Sequence, residues 1–370
     1  MTIAASATLG KRRVLHFVTG GFSGATQVAV DLCRAAQGSE RLEALLVLRR
    51  KRHTDAARVQ ALRDEGLHVQ VVPGWSHAAT VWALMRMCRQ WRPDVVVAHG
   101  FPEHLLGRFA GWLADVPHLV QVEHNSRERY NAWRRAQSRW LAPRSAKLIG
   151  VSEGVRLRLV AMGLPERLTL AIPNGIDLAR YAQADARPFD AREAGIVMSA
   201  RFARQKDHLS LVRALGVLKS RGVLPTLRLA GAGKASYRRA CEAEVERLGL
   251  QVQVQLLGHH GQVPKLLMGQ RICVLATHWE GMPLALVEGM AAGCACVASK
   301  VPGVEGLIDD GVNGLLVAES DPEALADALE RLLRDSAWAA RLGAAARQRA
   351  LAAHGIELMA QRYEDLLAGL

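Results

Sequence analysis

Short apolar runs alternate with longer amphipathic ones along the chain. Residues 14–18 (Val-Leu-His-Phe-Val) form the first run, which ends at the loop Thr19-Gly20-Gly21-Phe22-Ser23-Gly24. Val28, Leu32 and Ala35 follow at helical spacing and predict a helix over residues 25–36. Further strands are predicted at 44–48, 69–72, 95–98, 119–123 and 148–151, with helices between most of them. The rhythm breaks at Ile172-Pro173-Asn174-Gly175-Ile176-Asp177, where Pro and Asn-Gly signal turns, and residues up to about 195 lack periodicity.

Alternation then restarts, with strands at 196–199, 226–230, 252–257, 272–276, 295–298 and 314–317. Helices fall at 209–221, 237–248, 263–268, 284–292, 322–335 and 337–352. Apolar strands alternating with helices imply parallel sheets covered on both faces. The fold class is α/β, with two tandem Rossmann-like units and a ligand cleft at the carboxyl ends of their strands. The expected division is a first domain over 1–175, a linker over 176–195, a second domain over 196–353, and a last helix in 354–370.

Composition narrows the class. No stretch supplies the roughly 18 uncharged apolar residues of a membrane span, and residues 1–13 lack the apolar core of a signal peptide. The cysteines (33, 88, 241, 273, 294 and 296) form no Cys-x-x-Cys pair, so buried reduced thiols and a cytoplasmic location are expected. Cys294 and Cys296 alternate along an apparent strand and should share one face. The net charge of +13 is uneven: residues 1–180 hold 26 Lys+Arg against 14 Asp+Glu, whereas residues 181–370 hold 22 against 21. The first half therefore faces an anionic partner. No nucleic-acid-binding module fits. Nor does an NAD site: Gly20-Gly21 is not Gly-x-Gly-x-x-Gly, and no acid ends the next strand.

The segment His278-Trp279-Glu280-Gly281-Met282-Pro283-Leu284-Ala285-Leu286-Val287-Glu288 carries the most chemistry. Pro283 suits a first helical position, which leaves Glu280, Gly281 and Met282 in the preceding loop and Glu288 about one turn inside. Carboxylates accept strongly from sugar hydroxyls, and free N–H groups at a helix start favour anions. The plainer alternative makes Glu280 a helix-start carboxylate and Glu288 a solvated one. Arg201 closes a strand and Lys206 lies in the next loop, so both can converge on a pyrophosphate.

This pattern resembles the retaining glycosyltransferases of family 4, which have the GT-B fold and build bacterial lipopolysaccharide, O-antigen or capsule. Glu-x7-Glu with Gly-Met-Pro-Leu after the first Glu is joined, in order along nearly the whole chain, by Val151-Ser152, Ile172-Pro173-Asn174-Gly175, Ser199-Ala200-Arg201 with Lys206, Gly231-Ala232-Gly233, Leu257-Gly258 and Asp310-Gly311-Val312-Asn313-Gly314. The resemblance implies that Glu280 binds donor-sugar hydroxyls, assisted by the N–H groups of Gly281, Met282, Pro283's successor Leu284 and their neighbours. It implies that Glu288 binds the ribose, Arg201 and Lys206 hold the diphosphate, Gly258 lies near the base, and Gly20 and Gly21 meet the phosphates. His124, in Val122-Glu123-His124-Asn125, would contact the donor sugar, and His99 is a cleft-lining candidate on the acceptor side. Gly289 and Ala295 stand where the family usually has Ala and Pro.

What the resemblance implies is a UDP- or GDP-sugar donor held by the second domain, a glycan or lipid-linked acceptor on the side of the first, a last helix that crosses back onto the first domain, and front-face displacement with retention. No Asp-x-Asp is present to hold a metal, so no cofactor and no metal are expected. Residues 127–147 hold seven basic side chains against one acid, with Trp133 and Trp140 seven residues apart on one helix face. Arg134, Arg135, Arg139, Trp133 and Trp140 thus suggest docking to an anionic membrane at the cytoplasmic face. The alternative is a solvated charged face with Trp in the core. Arg49-Arg50-Lys51-Arg52 and the group Trp82, Met85, Arg86, Arg89 and Trp91 form two further patches. Two alternatives are a nucleotide-sugar 2-epimerase of the same fold, against which the Gly281-Met282-Pro283-Leu284 loop and the basic face argue, and a non-catalytic regulatory partner that binds nucleotide sugar, against which Glu280, Glu288, Arg201 and Lys206 argue.

Overall fold

The computed structural model describes residues 10–127 and 130–370; residues 1–9, and Glu128 and Arg129 of the basic stretch, lie outside the described residues. The first sheet contains β1 (Arg12–Thr19), β2 (Leu42–Arg49), β3 (Val69–Val72), β4 (Val95–His99), β5 (His118–Glu123), β6 (Lys147–Gly150) and β7 (Thr169–Ala171), in the order β3-β2-β1-β4-β5-β6-β7. The second contains β8 (Glu193–Ser199), β9 (Leu227–Ala230), β10 (Val254–Gly258), β11 (Gln270–Leu275), β12 (Ala295–Ser299) and β13 (Leu315–Val317), in the order β10-β9-β8-β11-β12-β13. Every pairing is parallel.

The burial pattern explains why the strands read as unbroken apolar runs. Each residue of β4 is buried. Val95 and Val97 face one helical layer, while Val96 and Ala98 face the other with Leu15 and Phe17 of β1. Successive side chains point to opposite faces, so a sheet covered on both sides needs apolar residues at each position. In both sheets the strand order reverses beside the first strand, between β1 and β4 and between β8 and β11. Such switch points open a crevice at the carboxyl ends of the strands.

Three local expectations change. The segment expected to be irregular contains 3-10 turns at Leu178–Ala186 and Phe189–Ala191, and β8 begins at Glu193 rather than 196. The short edge strand β7 gave no readable alternation because it spans only three residues. The helix Leu284–Ala291 has Pro283 as its N-cap, so Leu284 takes the first helical position.

The two sheets are joined twice. Ile176 donates its N–H to the His354 carbonyl (2.9 Å) and accepts from Ile356 N–H (3.0 Å). The last helix, Ile356–Ala368, then packs on the helix Gly24–Gln37 and on β1. Ser39 Oγ donates to Glu364 (2.7 Å) and Arg41 pairs with Asp365 (2.6 Å).

Candidate active site

Two loops leave the carboxyl edge of the second sheet at its switch point and zip together. After β8, Asp207 N–H donates to the Ala276 carbonyl (3.0 Å); after β11, His278 N–H donates to the Gln205 carbonyl (2.9 Å). This lacing fixes Glu280. Its carboxylate is buried, forms an ion pair with Lys206, and accepts from Gln205 Nε2 (3.1 Å). The Thr277 hydroxyl lies 2.8 Å from the same carboxylate and 2.9 Å from the Gln205 carbonyl. A buried ion pair is tolerated when the remaining lone pairs are satisfied in this way.

Lys206 and Glu280 border a cleft of about 520 Å³. Arg201 lines it from an exposed position, and Ser199, Gly231, His259, His260, Met282, Leu284 and Ala285 complete its second-domain wall. Among the described residues Glu280 is the one acid in that lining. The first intrahelical bond, Leu286 N–H to the Pro283 carbonyl (3.0 Å), leaves the N–H groups of Leu284 and Ala285 at the cleft without intrahelical partners. Two cations and an open helix start thus face a site of nucleotide-diphosphate size.

The first domain closes tightly over Gly281. A Cβ there would lie 2.0 Å from the His124 carbonyl oxygen. The Gly281 carbonyl accepts from Ser152 Oγ (2.7 Å), and Asn174 N–H reaches Met282 Sδ (2.9 Å). His124 therefore stands beside the Glu280 loop. Arg127 extends the contact by lying 5.0 Å over the Trp279 ring.

Behind His124 runs a chain of imidazoles. His99 Nδ1 is 3.2 Å from His124 Nε2, and His99 Nε2 is 3.0 Å from His16 Nδ1. Burial drives all three toward the neutral form: His16 falls to about 4, His99 lies well below its ordinary value, and His124, though partly exposed, falls to about 3. A neutral imidazole has a single N–H, so His99 donates to one neighbour and accepts from the other, and the chain has one direction. His99 is fully buried and does not line the cleft, contrary to the acceptor-side expectation. Its place is behind His124 because it ends β4, where a switch-point strand is covered on both faces.

These histidines bear on stability. They remain neutral when folded but protonate near 6.5 when unfolded, so their contribution is complete above pH 6.5 and is lost as pH falls toward 4. The unfolding free energy measured from pH 7.5 to 4.5 should fall steeply below 6.5, with His16 alone contributing about 2–3 kcal/mol of the loss. His99→Gln should lower Tm at pH 7.5 and flatten the slope. An unchanged slope would remove His99 as one of its sources.

The other expected donor residues divide. Gly20 packs on the turn after β2: its N–H donates to the Arg49 carbonyl (2.8 Å), and a Cβ would lie 2.7 Å from that oxygen. Neither Gly20 nor Gly21 borders the cleft, whereas Gly24, which begins the following helix, does. Gly258 ends β10 at φ +66° and hands the cleft to His259 and His260, which sequence reasoning missed; the positive φ required after a strand was the available signal. Gln205 and Thr277 were also missed, because neither forms part of a spaced motif. Glu288 lies one turn behind Leu284 on the same helix side, half-buried and outside the lining of the cleft. Burial raises its carboxyl pKa against the opposing pull of Arg180 and the Tyr181 hydroxyl.

Comparison with known proteins agrees with this geometry. Residues 22–180 match the family model for Glycosyltransferase Family 4, and residues 182–349 match that for Glycosyl transferases group 1. The chain belongs to glycosyltransferase family 4. An Escherichia coli UDP-Gal:alpha-D-GlcNAc-diphosphoundecaprenol alpha-1,3-galactosyltransferase is 25% identical over 272 residues, 68% of this chain and 70% of that protein. A Mycobacterium tuberculosis glycogen synthase is 31% identical over 278 residues, 70% of this chain but 65% of its own length, just under two thirds. The structure of Anabaena HepE in complex with UDP superposes with a TM-score of 0.83 at 21% identity, over 97% of this chain and 100% of that one. This family 4 enzyme is a glycosyltransferase that uses nucleotide-sugar donors, on two parallel-sheet GT-B domains.

One departure from the family pattern has a local cause. A Cβ on Gly289 of the transferase would lie 2.5 Å from Cys273 Sγ, so the sulfur occupies the space an Ala methyl would need. Cys294 and Cys296 are buried, and all six thiols are free. The basic helix, Ala132–Leu141, buries Ser138 and Leu141 and exposes 70% of Trp133. Trp140 is less free: it stacks on Phe109, meets Trp112 edge-on and carries Arg144 at 3.8 Å. Arg139 and Arg135 are both exposed, Arg139 donating to the Met162 carbonyl (2.9 Å), while Arg134 lies over Phe101 (4.9 Å). Among the described residues, no helix is long and apolar enough to cross a membrane.

Proposed function

We propose that this enzyme transfers a sugar from a UDP- or GDP-sugar, with retention and without a metal, to a glycan or lipid-linked acceptor in cell-surface polysaccharide synthesis. The observation that carries the reading is the Lys206–Glu280 pair at the cleft, with Arg201 beside it and His124 held against the same loop. Retention through a covalent intermediate calls for two carboxylates about 5 Å apart. Among the described residues the cleft presents one, and it is tied to a lysine. Front-face departure suits this arrangement. The sugar–phosphate bond breaks, the leaving phosphate oxygen takes the acceptor proton, and the acceptor oxygen bonds to the same face of the anomeric carbon. Arg201, Lys206 and the helix start offset the charge that grows on the leaving diphosphate.

A transfer assay with UDP- and GDP-sugars in excess EDTA tests this reading. Turnover should persist, and NMR of the first product should show the donor's anomeric configuration. Inversion, or loss restored by Mn²⁺ or Mg²⁺, would overturn it.

The E. coli relative's name places its acceptor on a lipid diphosphate. Trp133 and Arg135 are exposed on one helix, which supports contact between this enzyme and an anionic membrane surface. Co-sedimentation with anionic vesicles at low salt should exceed that with neutral ones by about thirtyfold, as two basic contacts at about 1 kcal/mol each would give. Equal binding would count against membrane docking.

A further inference from the structure

Read as a sequence, Arg49-Arg50-Lys51-Arg52 is one surface patch. The structure splits it. Arg49 ends β2 pointing inward, with 6% of its surface exposed, while Arg50 and Arg52 remain outside. Arg49 Nη1 and Lys51 Nζ reach the same oxygen, Glu103 Oε1, at 3.2 and 2.7 Å. Glu103 begins the helix Glu103–Leu113 and is 2% exposed. One buried carboxylate therefore answers two cations, leaving an excess positive charge in a largely desolvated place.

Two further observations make that excess look like a site. Arg49 Nη2 has a long contact with the Gly74 carbonyl (3.5 Å), and its Nε, also buried, has no hydrogen-bond partner among the described residues. A buried donor left unpaired is destabilising, a cost that a ligand oxygen reaching it would relieve. The neighbourhood is also electropositive: His77, on the next helix, is pushed toward neutrality by burial and then by the Arg49, Arg134 and Lys51 charges, against the opposite pull of Glu103. The cluster opens to solvent at Lys51, whose side chain is 35% exposed, and at His77. Trp75, between Gly74 and His77, is 84% exposed at its rim.

The cluster is separate from the donor phosphate cations, Arg201 and Lys206, which belong to the second domain. It lies at the carboxyl edge of the first sheet and abuts the Gly20 turn through the Arg49 carbonyl. We infer that Arg49 and Lys51, balanced by Glu103, form the site that holds the diphosphate of the acceptor. The inference rests on the acceptor reading above and gives it a chemical class: a hydroxyl-bearing glycan attached to a diphosphate. Glu103 sets the strength of the site. It neutralises one cation while the site is empty, so the cations stay in place without collapsing onto other acids.

The test uses the full-length enzyme saturated with UDP, so that the donor phosphate cations are occupied. Pyrophosphate and a short-chain prenyl diphosphate are titrated calorimetrically. Each should bind with a stoichiometry near one while UDP stays bound. Lys51→Gln should weaken both about tenfold, and Lys51→Glu should weaken them further. Glu103→Gln should act in the opposite direction and tighten both. UDP affinity should be the same in all variants, which shows that they fold and that the donor reading stands on its own. Tighter binding of the prenyl diphosphate than of pyrophosphate identifies a lipid-linked acceptor; equal binding identifies a phosphorylated glycan. The inference is overturned if pyrophosphate displaces UDP instead of binding beside it, if the wild type binds no second anion at millimolar concentration, or if the Lys51 variants bind as the wild type does. Failure of the wild type to bind UDP would instead sink the donor reading.

Discussion

Glu280→Ala and Lys206→Ala are each expected to lower kcat/KM by about a thousandfold, the scale of removing one preorganised transition-state contact, yet to move UDP affinity in opposite directions. The two side chains form one ion pair, and Glu280 is further held by Gln205 and Thr277. Loss of Lys206 removes a phosphate cation and leaves a buried carboxylate uncompensated, so UDP binding should weaken about ten- to a hundredfold. Loss of Glu280 frees Lys206 and removes a negative charge from the diphosphate site. UDP should then bind more tightly than to the wild type, although the sugar no longer has its carboxylate. The double variant should lose much less than the product of the single losses, because the residues act as a unit. Steady-state kinetics and UDP calorimetry on the three variants decide the matter. Multiplicative losses, or equal weakening of UDP by both single changes, would show two independent residues.

The second large effect concerns closure. Gly281→Ala should reduce kcat by at least about a hundredfold, as expected when reacting groups are displaced by an ångström or so, while Tm falls by only a few degrees. The added methyl would lie 2.0 Å from the His124 carbonyl oxygen and 3.0 Å from Asn125 Cα, both across the domain boundary. Backbone atoms cannot rotate away, so the domains must part to accept it. Gly154→Ala should give the same phenotype from the other side, since its Cβ would meet the Pro302 carbonyl oxygen at 2.0 Å. Small-angle scattering should show a larger radius of gyration for both. A variant that kept full activity and the wild-type radius would mean that closure is not required.

Much of this was legible in the sequence, for reasons that differ by residue. Strand-helix alternation was clear because parallel strands are apolar at each position, as in β4. Glu280, Arg201 and Lys206 were visible because each is a charged residue at a short, fixed offset from a strand end, the position of the cleft in such folds. Long-range packing left no such trace. Nothing in Ala98-His99-Gly100 says that the ring turns away from the cleft to join His16, and nothing in Gly20-Gly21 separates a glycine that meets a ligand from one pressed against Arg49. The inward turn of Arg49 within a basic run was hidden for the same reason: its partner, Glu103, lies 54 residues away.

The paired crossings at Ile176 and residues 354–356 limit how the enzyme can open. The chain leaves the first domain once and returns to it once, and at the boundary the two segments are hydrogen-bonded to each other. Two tethers side by side behave as a door hinge rather than a rope. They permit swinging about the line through both and resist sliding or twisting of one domain past the other. With the terminal helix anchored by Ser39 and Arg41, each swing should return Gly281 to the same carbonyl of His124. Reproducible closure of this kind would spare the enzyme a search for alignment each time a donor arrives.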